Sequence, residues 1–150
     1  MEYRKRIRVG VIGGVSVEDK FLEAAFRVGQ LLAQREALLV CGGLTGVMEA
    51  ACKGAKSEGG LTVGILPGNS INEANPHIDI PVATGMGYTR NALVVMNSDV
   101  LIAISGQYGT LSEIAYGCVD EKKIIGIGTW DIRGVTQAES PEEAVRLALE

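Results

Sequence analysis

Short apolar runs alternate along the chain with segments whose apolar residues recur every three or four positions. The runs hold mostly Val, Ile and Leu, which is typical of strands buried on both faces of a parallel sheet. The intervening segments have the spacing of amphipathic helices. This alternation predicts a Rossmann-like, doubly wound α/β fold with a mainly parallel sheet of six or seven strands and helices on both faces. The predicted strands span residues 7–12, 37–41, 61–66, 80–84, 100–104 and 123–127.

Helix boundaries are marked by capping residues. Ser16 precedes the first apolar helical segment, with Asp19 three residues further on, and we expect Ser16 to cap that helix. Ser140 and Pro141 open the last helix, which should run to residue 149. The other helices are predicted at residues 45–57, 89–98 and 110–119, and long loops at residues 69–79 and 131–139.

Length and composition indicate one compact domain over residues 1–150. Apolar residues make up 47% of the chain and charged residues 21%, without low-complexity tracts. A net charge of −4, with one Trp and two Phe, argues against a nucleic-acid surface, which needs basic and stacking side chains. The basic start at residues 4–8 precedes a short, glycine-containing apolar stretch, so it predicts a first strand rather than a signal peptide. The apolar runs are too short to span a membrane.

The three cysteines, Cys41, Cys52 and Cys118, are widely spaced and odd in number. They form no C-x-x-C pair, so neither a disulfide framework nor a zinc site is indicated, and no metal ligand is predicted. We therefore expect a reducing, cytoplasmic setting.

Three strand-to-helix junctions are rich in glycine: G-V-I-G-G at residues 10–14, G-G-L-T-G at 42–46 and G-Q-Y-G-T at 106–110. Glycine lets a ligand approach the main chain, and the free N–H groups of the following helix attract anions. Together the turns predict a ligand that carries a phosphate. The alternative is that the glycines only make tight turns and close helix packing. Neither a dinucleotide fingerprint nor a P-loop is present.

Arg90 and Glu113 are the charged residues best placed for chemistry. Arg90 lies at the start of the helix after the fourth predicted strand, and Glu113 lies one turn into the helix after the fifth. If those strands are neighbours, both side chains reach one crevice. Arg90 could then bind an anion and Glu113 could act as hydrogen-bond acceptor or general acid/base. The alternatives are a structural ion pair, or a capping box formed by Thr110 and Glu113.

Three motifs resemble the LOG-type family, also called lysine decarboxylase-like proteins. They are residues 42–48, Met86 with Arg90, and Y-G-T-L-S-E at residues 108–113, and the likeness spans residues 8–127. The resemblance implies a phosphoribohydrolase that cleaves the N-glycosidic bond of cytokinin or adenine nucleoside 5′-monophosphates, with Arg90 and Glu113 catalytic. The same family includes molybdenum-cofactor carrier proteins, which bind a phosphorylated pterin.

Two departures favour the carrier branch. Ser105-Gly106-Gln107 stands where the hydrolases have Pro-Gly-Gly, and Asn91 stands where they have a lysine. The sequence therefore predicts a binding protein for a nucleotide-like or pterin ligand, with no cofactor required for a reaction. Hydrolysis is the second hypothesis, and an interaction protein with an idle pocket is the third.

The residues predicted to contact the ligand come from the turns and the family motifs. They are Gly13, Gly14, Gly42, Gly43, Met86, Arg90, Gly106, Gln107, Tyr108, Gly109 and Thr110. The resemblance also implies a homodimer or homotetramer, and the segment 89–98 is apolar almost all round, as expected for a subunit contact. Burial of that segment against the sheet is the alternative.

Overall fold

The sheet has seven strands, all parallel, in the order β4-β3-β2-β1-β5-β6-β7. A computed structural model of the chain describes residues 2–150. The strands are β1 Arg8–Gly13, β2 Leu38–Cys41, β3 Thr62–Leu66, β4 Ile80–Ala83, β5 Val100–Ile104, β6 Lys123–Ile127 and β7 Val135–Gln137. The predicted Rossmann-like α/β fold is confirmed.

Five α-helices cover the sheet: α1 Asp19–Gln34, α2 Val47–Ser57, α3 Asn91–Met96, α4 Tyr108–Val119 and α5 Pro141–Leu149. Short 3-10 turns lie at Glu2–Lys5, Ile71–Glu73 and Gly87–Arg90. No helix among residues 2–150 is long and apolar enough to cross a bilayer.

The central strands divide their side chains between two cores because successive residues of a strand point to opposite faces. Val9 and Val11 of β1 pack with α1, α2 and α5, whereas Ile12 packs with α3 and α4. In β5, Ile102 faces the first core and Leu101 the second. The continuous apolar runs of the sequence thus reflect strands covered on both sides.

The seventh strand lies inside the segment predicted as a loop, so the loop prediction for residues 131–139 is wrong in part. Val135 pairs with Ile124 of β6, and Thr136 and Gln137 continue the ladder at the edge of the sheet. An edge strand of three residues has one neighbour and little buried apolar surface, so it leaves a weak signal in the sequence.

The predicted Ser16 cap is wrong, and so is the capping box that was the alternative for Thr110 and Glu113. The residue before α1 is Glu18, which makes no side-chain capping bond, and Ser16 lies further upstream. Helix α4 begins at Tyr108 with Gln107 as its N-cap, so Thr110 sits inside the first turn and forms no capping box with Glu113. The Ser140 cap is confirmed, since its hydroxyl accepts the Glu143 amide at 3.1 Å.

Candidate ligand-binding site

The site lies where the sheet reverses its direction of winding. Strand β1 pairs with β2 on one side and β5 on the other, and Gly13 is in register with Ile104. Helix α1, after β1, packs on one face of the sheet, and α4, after β5, packs on the other. Two chain segments that diverge from adjacent strand ends leave a crevice between them, which is where open α/β sheets bind ligands.

A cavity of about 610 Å³ opens at this crevice. That volume is within the roughly 300–1,000 Å³ typical of small-molecule sites. Six residues predicted from the sequence lie on its wall: Gly13, Gly14, Gln107, Tyr108, Gly109 and Thr110. They come from the turns after β1 and β5, so the structure brings two of the three glycine-rich junctions together around one space.

The turn after β5 has two residues in succession with positive φ, a backbone conformation that favours glycine. Ser105 has φ +50° and Gly106 has φ +97°, and a Cβ on Gly106 would overlap the hydroxyl of Thr110. The Thr129 hydroxyl donates to the Ser105 carbonyl at 2.7 Å and braces the turn. Gly106 therefore shapes the turn from behind the wall, and Gln107, whose φ is −118°, tolerates a side chain there.

Helix α4 presents unpaired amides to the cavity. The first-turn N–H groups of an α-helix have no intrahelical acceptor. Those of Tyr108, Gly109 and Thr110 donate to no other group among residues 2–150, although all three residues lie on the wall. Their N–H dipoles and the helix dipole together favour an anion at this position.

Five wall residues were absent from the predicted set: Val15, Ser16, Tyr88, Asn91 and Ser112. The Ser16 hydroxyl is available because it caps no helix. The Asn91 side-chain amide donates to Ser112 Oγ at 3.0 Å and to the Gly109 carbonyl at 3.4 Å. Asn91 thus links the start of α3 to the first turn of α4, a contact that no local sequence pattern reveals.

Arg90 lies behind the cavity wall rather than on it, and the condition under which it was placed at the crevice, that β4 and β5 are neighbours, is not met. Strand β4 is at the edge of the sheet and is separated from β5 by three strands, which is roughly 19 Å at about 4.8 Å per strand. The chain after β4 runs back over the strand ends, and Arg90 Nε donates to the Ile65 carbonyl at 2.8 Å. Its Nη2 donates to the Gly42 carbonyl at 3.3 Å, and its Nη1 donates to Asn91 Oδ1.

The second glycine-rich turn supports the site rather than lining it. A Cβ on Gly42 would lie 2.6 Å from Arg90 Nη2, so glycine makes room for the guanidinium. Gly46 has φ +73° and packs on the turn after β1, where the Val47 amide donates to the Gly14 carbonyl at 3.0 Å. Gly42, Gly43 and Met86 are not on the cavity wall, and their ligand contacts stay predictions.

Glu113 is buried behind the wall, close enough to Arg90 for each charge to shift the pKa of the other. Desolvation raises the pKa of Glu113 to about 8, and the charge of Arg90 only partly opposes it. Burial likewise lowers the pKa of Arg90. The Glu113 carboxyl forms no hydrogen bond with any of residues 2–150. Every fully buried side-chain nitrogen or oxygen of these residues has a hydrogen-bond partner, so the Glu113 oxygens must still touch solvent. Glu113 is a largely protonated acid at neutral pH.

The cysteines near the site are not suited to nucleophilic chemistry. Cys41, at the end of β2, has its sulfur 3.6 Å from that of Cys52 in α2, and both thiols are free and buried. The hydrogen bond with Cys41 and burial raise the pKa of the Cys52 thiol, which keeps it neutral. Within residues 2–150, no group of three His, Cys, Asp or Glu residues is placed to hold a metal ion.

The architecture defines a Rossmann-like α/β protein with a ligand crevice at the switch point of its sheet. Comparison with known proteins is more specific: the chain belongs to the SLOG cluster4 family, whose model matches residues 6–149. The predicted resemblance to LOG-type proteins is confirmed. An uncharacterized protein of Archaeoglobus fulgidus is 43% identical over 146 residues, covering 97% of this chain and 96% of that protein.

Two further similarities carry functional names. A cytokinin riboside 5′-monophosphate phosphoribohydrolase of Mycobacterium tuberculosis is 30% identical over 120 residues, covering 74% of this chain and 64% of the hydrolase. The structure of the molybdenum cofactor binding protein from Rippkaea orientalis matches with a TM-score of 0.90 and 36% identity, covering 95% of each chain.

Stability should depend on pH through Glu113. The folded state holds this proton up to a pKa of about 8, whereas the unfolded chain releases it near 4.5. The contribution of Glu113 to the free energy of unfolding is therefore fully present below pH 4.5 and is lost as the pH rises through 8. The loss is at most about 1.4 kcal/mol per pH unit. Urea unfolding at pH 5, 6, 7 and 8 should show Glu113→Gln gaining stability relative to wild type as pH rises.

Glu58→Gln, at an exposed position, is the matched control. Its free energy of unfolding should differ from that of wild type by the same amount at every pH in this range. A constant offset for Glu113→Gln as well would contradict the buried, protonated carboxyl.

Proposed function

We propose that the crevice between the turns after β1 and β5 binds a small phosphorylated ligand with a nucleotide-like or pterin ring. The observation that carries this proposal is the row of unpaired amides at the start of α4, on the wall of a cavity of about 610 Å³. A phosphate on these amides would gain charge-assisted hydrogen bonds at little cost of reorganisation.

The rest of the wall suits a polar ligand that is held without a charged side chain. Ser16, Asn91 and Ser112 supply hydroxyl and amide groups, and no Lys, Arg, Asp or Glu of residues 2–150 lies on the wall. The similarity to a protein named for binding the molybdenum cofactor supports a pterin-type ligand. No molybdenum ligand is needed from the chain in this proposal, because the amides would hold the phosphate of the cofactor.

A second function, hydrolysis of nucleoside 5′-monophosphates, is favoured by one observation. Glu113 is a protonated carboxyl with a pKa of about 8 beside Arg90, which is the state a general acid needs at neutral pH. The similarity to the Mycobacterium tuberculosis phosphoribohydrolase is consistent with this function.

We place binding first because of how the two charged residues are arranged. All three nitrogens of the Arg90 guanidinium already donate to protein acceptors, and neither Arg90 nor Glu113 is on the cavity wall. The Asn91 side chain lies on the wall and bonds to the guanidinium behind it. A ligand in the cavity would meet the neutral amide before it met either charge.

A charge placed in the first turn of α4 tests the phosphate site. A Cβ on Gly109 meets nothing closer than Asn91 Nδ2 at 3.9 Å, so the position has room. Gly109→Asp should weaken AMP binding at least about ten-fold in isothermal titration calorimetry, because a carboxylate would repel the phosphate at short range. The fold should tolerate the change, since an acidic residue is favourable at a helix N-terminus.

Gly109→Asn has the same shape without the charge and is the matched control. It should lose much less affinity than Gly109→Asp. Equal losses in both variants would mean that the side chain blocks the cavity sterically and that no phosphate binds at the α4 amides. No AMP binding and no thermal shift by wild type would favour the idle pocket.

Turnover separates the two functions. Wild type incubated with AMP should bind it without releasing adenine, as measured by chromatography against a buffer blank, and Glu113→Gln should bind AMP within about three-fold of wild type because Glu113 is off the wall. Adenine release that disappears in Glu113→Gln would instead establish hydrolysis with Glu113 as its acid.

We also propose that the chain self-associates through the outer surface of α3 and α4. Val94 and Val95 are buried against the sheet, but Met96 and Val119 remain mostly exposed. The two helix ends are adjacent, since Lys122 Nζ donates to the Met96 carbonyl at 3.4 Å. Exposed apolar side chains grouped in this way are typical of a contact between subunits.

The Met96→Lys, Val119→Lys double variant should therefore shift the protein toward the monomer in size-exclusion chromatography with light scattering. Ile71→Lys, at an exposed apolar residue in the 3-10 turn Ile71–Glu73, should not change the mass. A wild-type monomer, or an unchanged oligomer in the double variant, would exclude this contact.

A further inference from the structure

Aromatic side chains are concentrated at one cavity in a chain that has few of them. The protein has four Tyr, two Phe and one Trp. Tyr88 and Tyr108 both lie on the wall of the crevice, with 87% and 78% of their surface exposed. Rings so exposed contribute little to the core, because stabilisation by burial scales with the apolar area removed from water.

The two tyrosines reach the crevice from different parts of the fold. Tyr88 lies in the 3-10 turn that follows β4, and Tyr108 is the first residue of α4. Asn91, the first residue of α3 after that turn, and Gly109 in α4 also lie on the wall. The rings therefore border the same space in which the proposed phosphate would bind.

Trp130 fixes the position of Tyr108. Its ring centroid is 5.9 Å from that of Tyr108 at a tilt of 38°, a favourable aromatic arrangement. Its indole N–H donates to the Gln107 carbonyl at 3.0 Å, and its own carbonyl accepts from Gln137 Nε2 at 3.1 Å. Strand β7 thus holds Trp130 against the N-cap of α4, so Trp130 is a positioning residue for the ring next to it.

Among residues 2–150, no charged side chain lies on the wall to bind the edge of a heterocycle, but two aromatic side chains do. Stacking recognises the flat face of a ring and tolerates different edge groups. We propose that Tyr88 and Tyr108 stack on the planar heterocycle of the ligand, so that the crevice selects phosphate esters that carry a flat ring over bare sugar phosphates. This inference rests on the proposed function, since the amides of α4 hold the phosphate.

The test compares AMP, GMP and ribose 5-phosphate in calorimetric titrations. All three carry the same phosphate, and guanine shares the 2-amino-4-oxopyrimidine edge of a pterin. Wild type should bind both nucleotides at least about ten-fold more tightly than ribose 5-phosphate. Tyr88→Ala and Tyr108→Ala should each weaken AMP binding by about 5- to 100-fold while leaving ribose 5-phosphate within about two-fold.

Conservative and remote variants separate stacking from other effects. Tyr88→Phe and Tyr108→Phe keep the ring and should keep the preference for AMP. Tyr3→Ala removes an exposed tyrosine outside the crevice, whose ring lies under Arg6, and should not change it. Trp130→Phe should lower AMP affinity less than Tyr108→Ala does, because it removes only the bond to Gln107.

The outcomes distinguish the two proposals. If ribose 5-phosphate binds as tightly as AMP and GMP, or if the alanine variants weaken all three ligands equally, the stacking inference is overturned and phosphate binding stands. If wild type binds none of the three, both are overturned. Because the rings are exposed, the alanine variants should unfold within a few degrees of wild type, and a large drop in Tm would show a structural role instead.

Discussion

The parallel pairing of β1 with β5 is the constraint on which the site depends. It sets Gly13 level with Ile104, so the turns that follow the two strands begin side by side. The helices then leave toward opposite faces of the sheet, α1 into one core and α4 into the other. Because neither helix can close over the gap, the crevice and the free amides of α4 follow from the strand order itself.

Behind this crevice, the charged side chains of Arg90 and Glu113 are kept off the cavity wall. Arg90 donates to the Gly42 carbonyl after β2, to the Ile65 carbonyl within β3 and to the Asn91 side chain. The buried Glu113 nearby stays protonated because desolvation outweighs the attraction of Arg90. Asn91 is then one of the polar groups that the proposed ligand would meet. A neutral amide at this point is suited to holding a phosphorylated molecule, whereas catalysis would require the ligand or Glu113 to move past it.

Much of the fold could be predicted because its strands are buried on both faces. A central strand such as β5 is apolar at every position, and no helix boundary or loop can be confused with it. The errors occur where the local signal is weak or ambiguous. Residues 135–137 form an edge strand with little apolar surface, and Ser16 is a good cap by residue type, but the helix begins three residues later.

The candidate site was predictable in part, because some of its residues lie in glycine-rich turns. The glycine-rich turns after β1 and β5 are visible as sequence and do line the cavity. The turn at residues 42–46 has the same composition, but it packs beneath the first turn and receives Arg90 instead of a ligand. Tyr88 and Asn91 could not be assigned, because they follow an edge strand and come to the wall only through the course of the chain over the strand ends.

The sequence by itself determined the alternation of strands and helices, the glycine-rich turns and the family, since these depend on residue types and spacings within short windows. Only the tertiary structure decided which glycine-rich turns line the cavity, how Arg90 returns from an edge strand to the centre of the sheet, and that two exposed tyrosines share one cavity. The physical reason is that strand order is set by the packing of the whole chain. Residues at strand ends become neighbours because of that strand order, and no local sequence pattern around them encodes it.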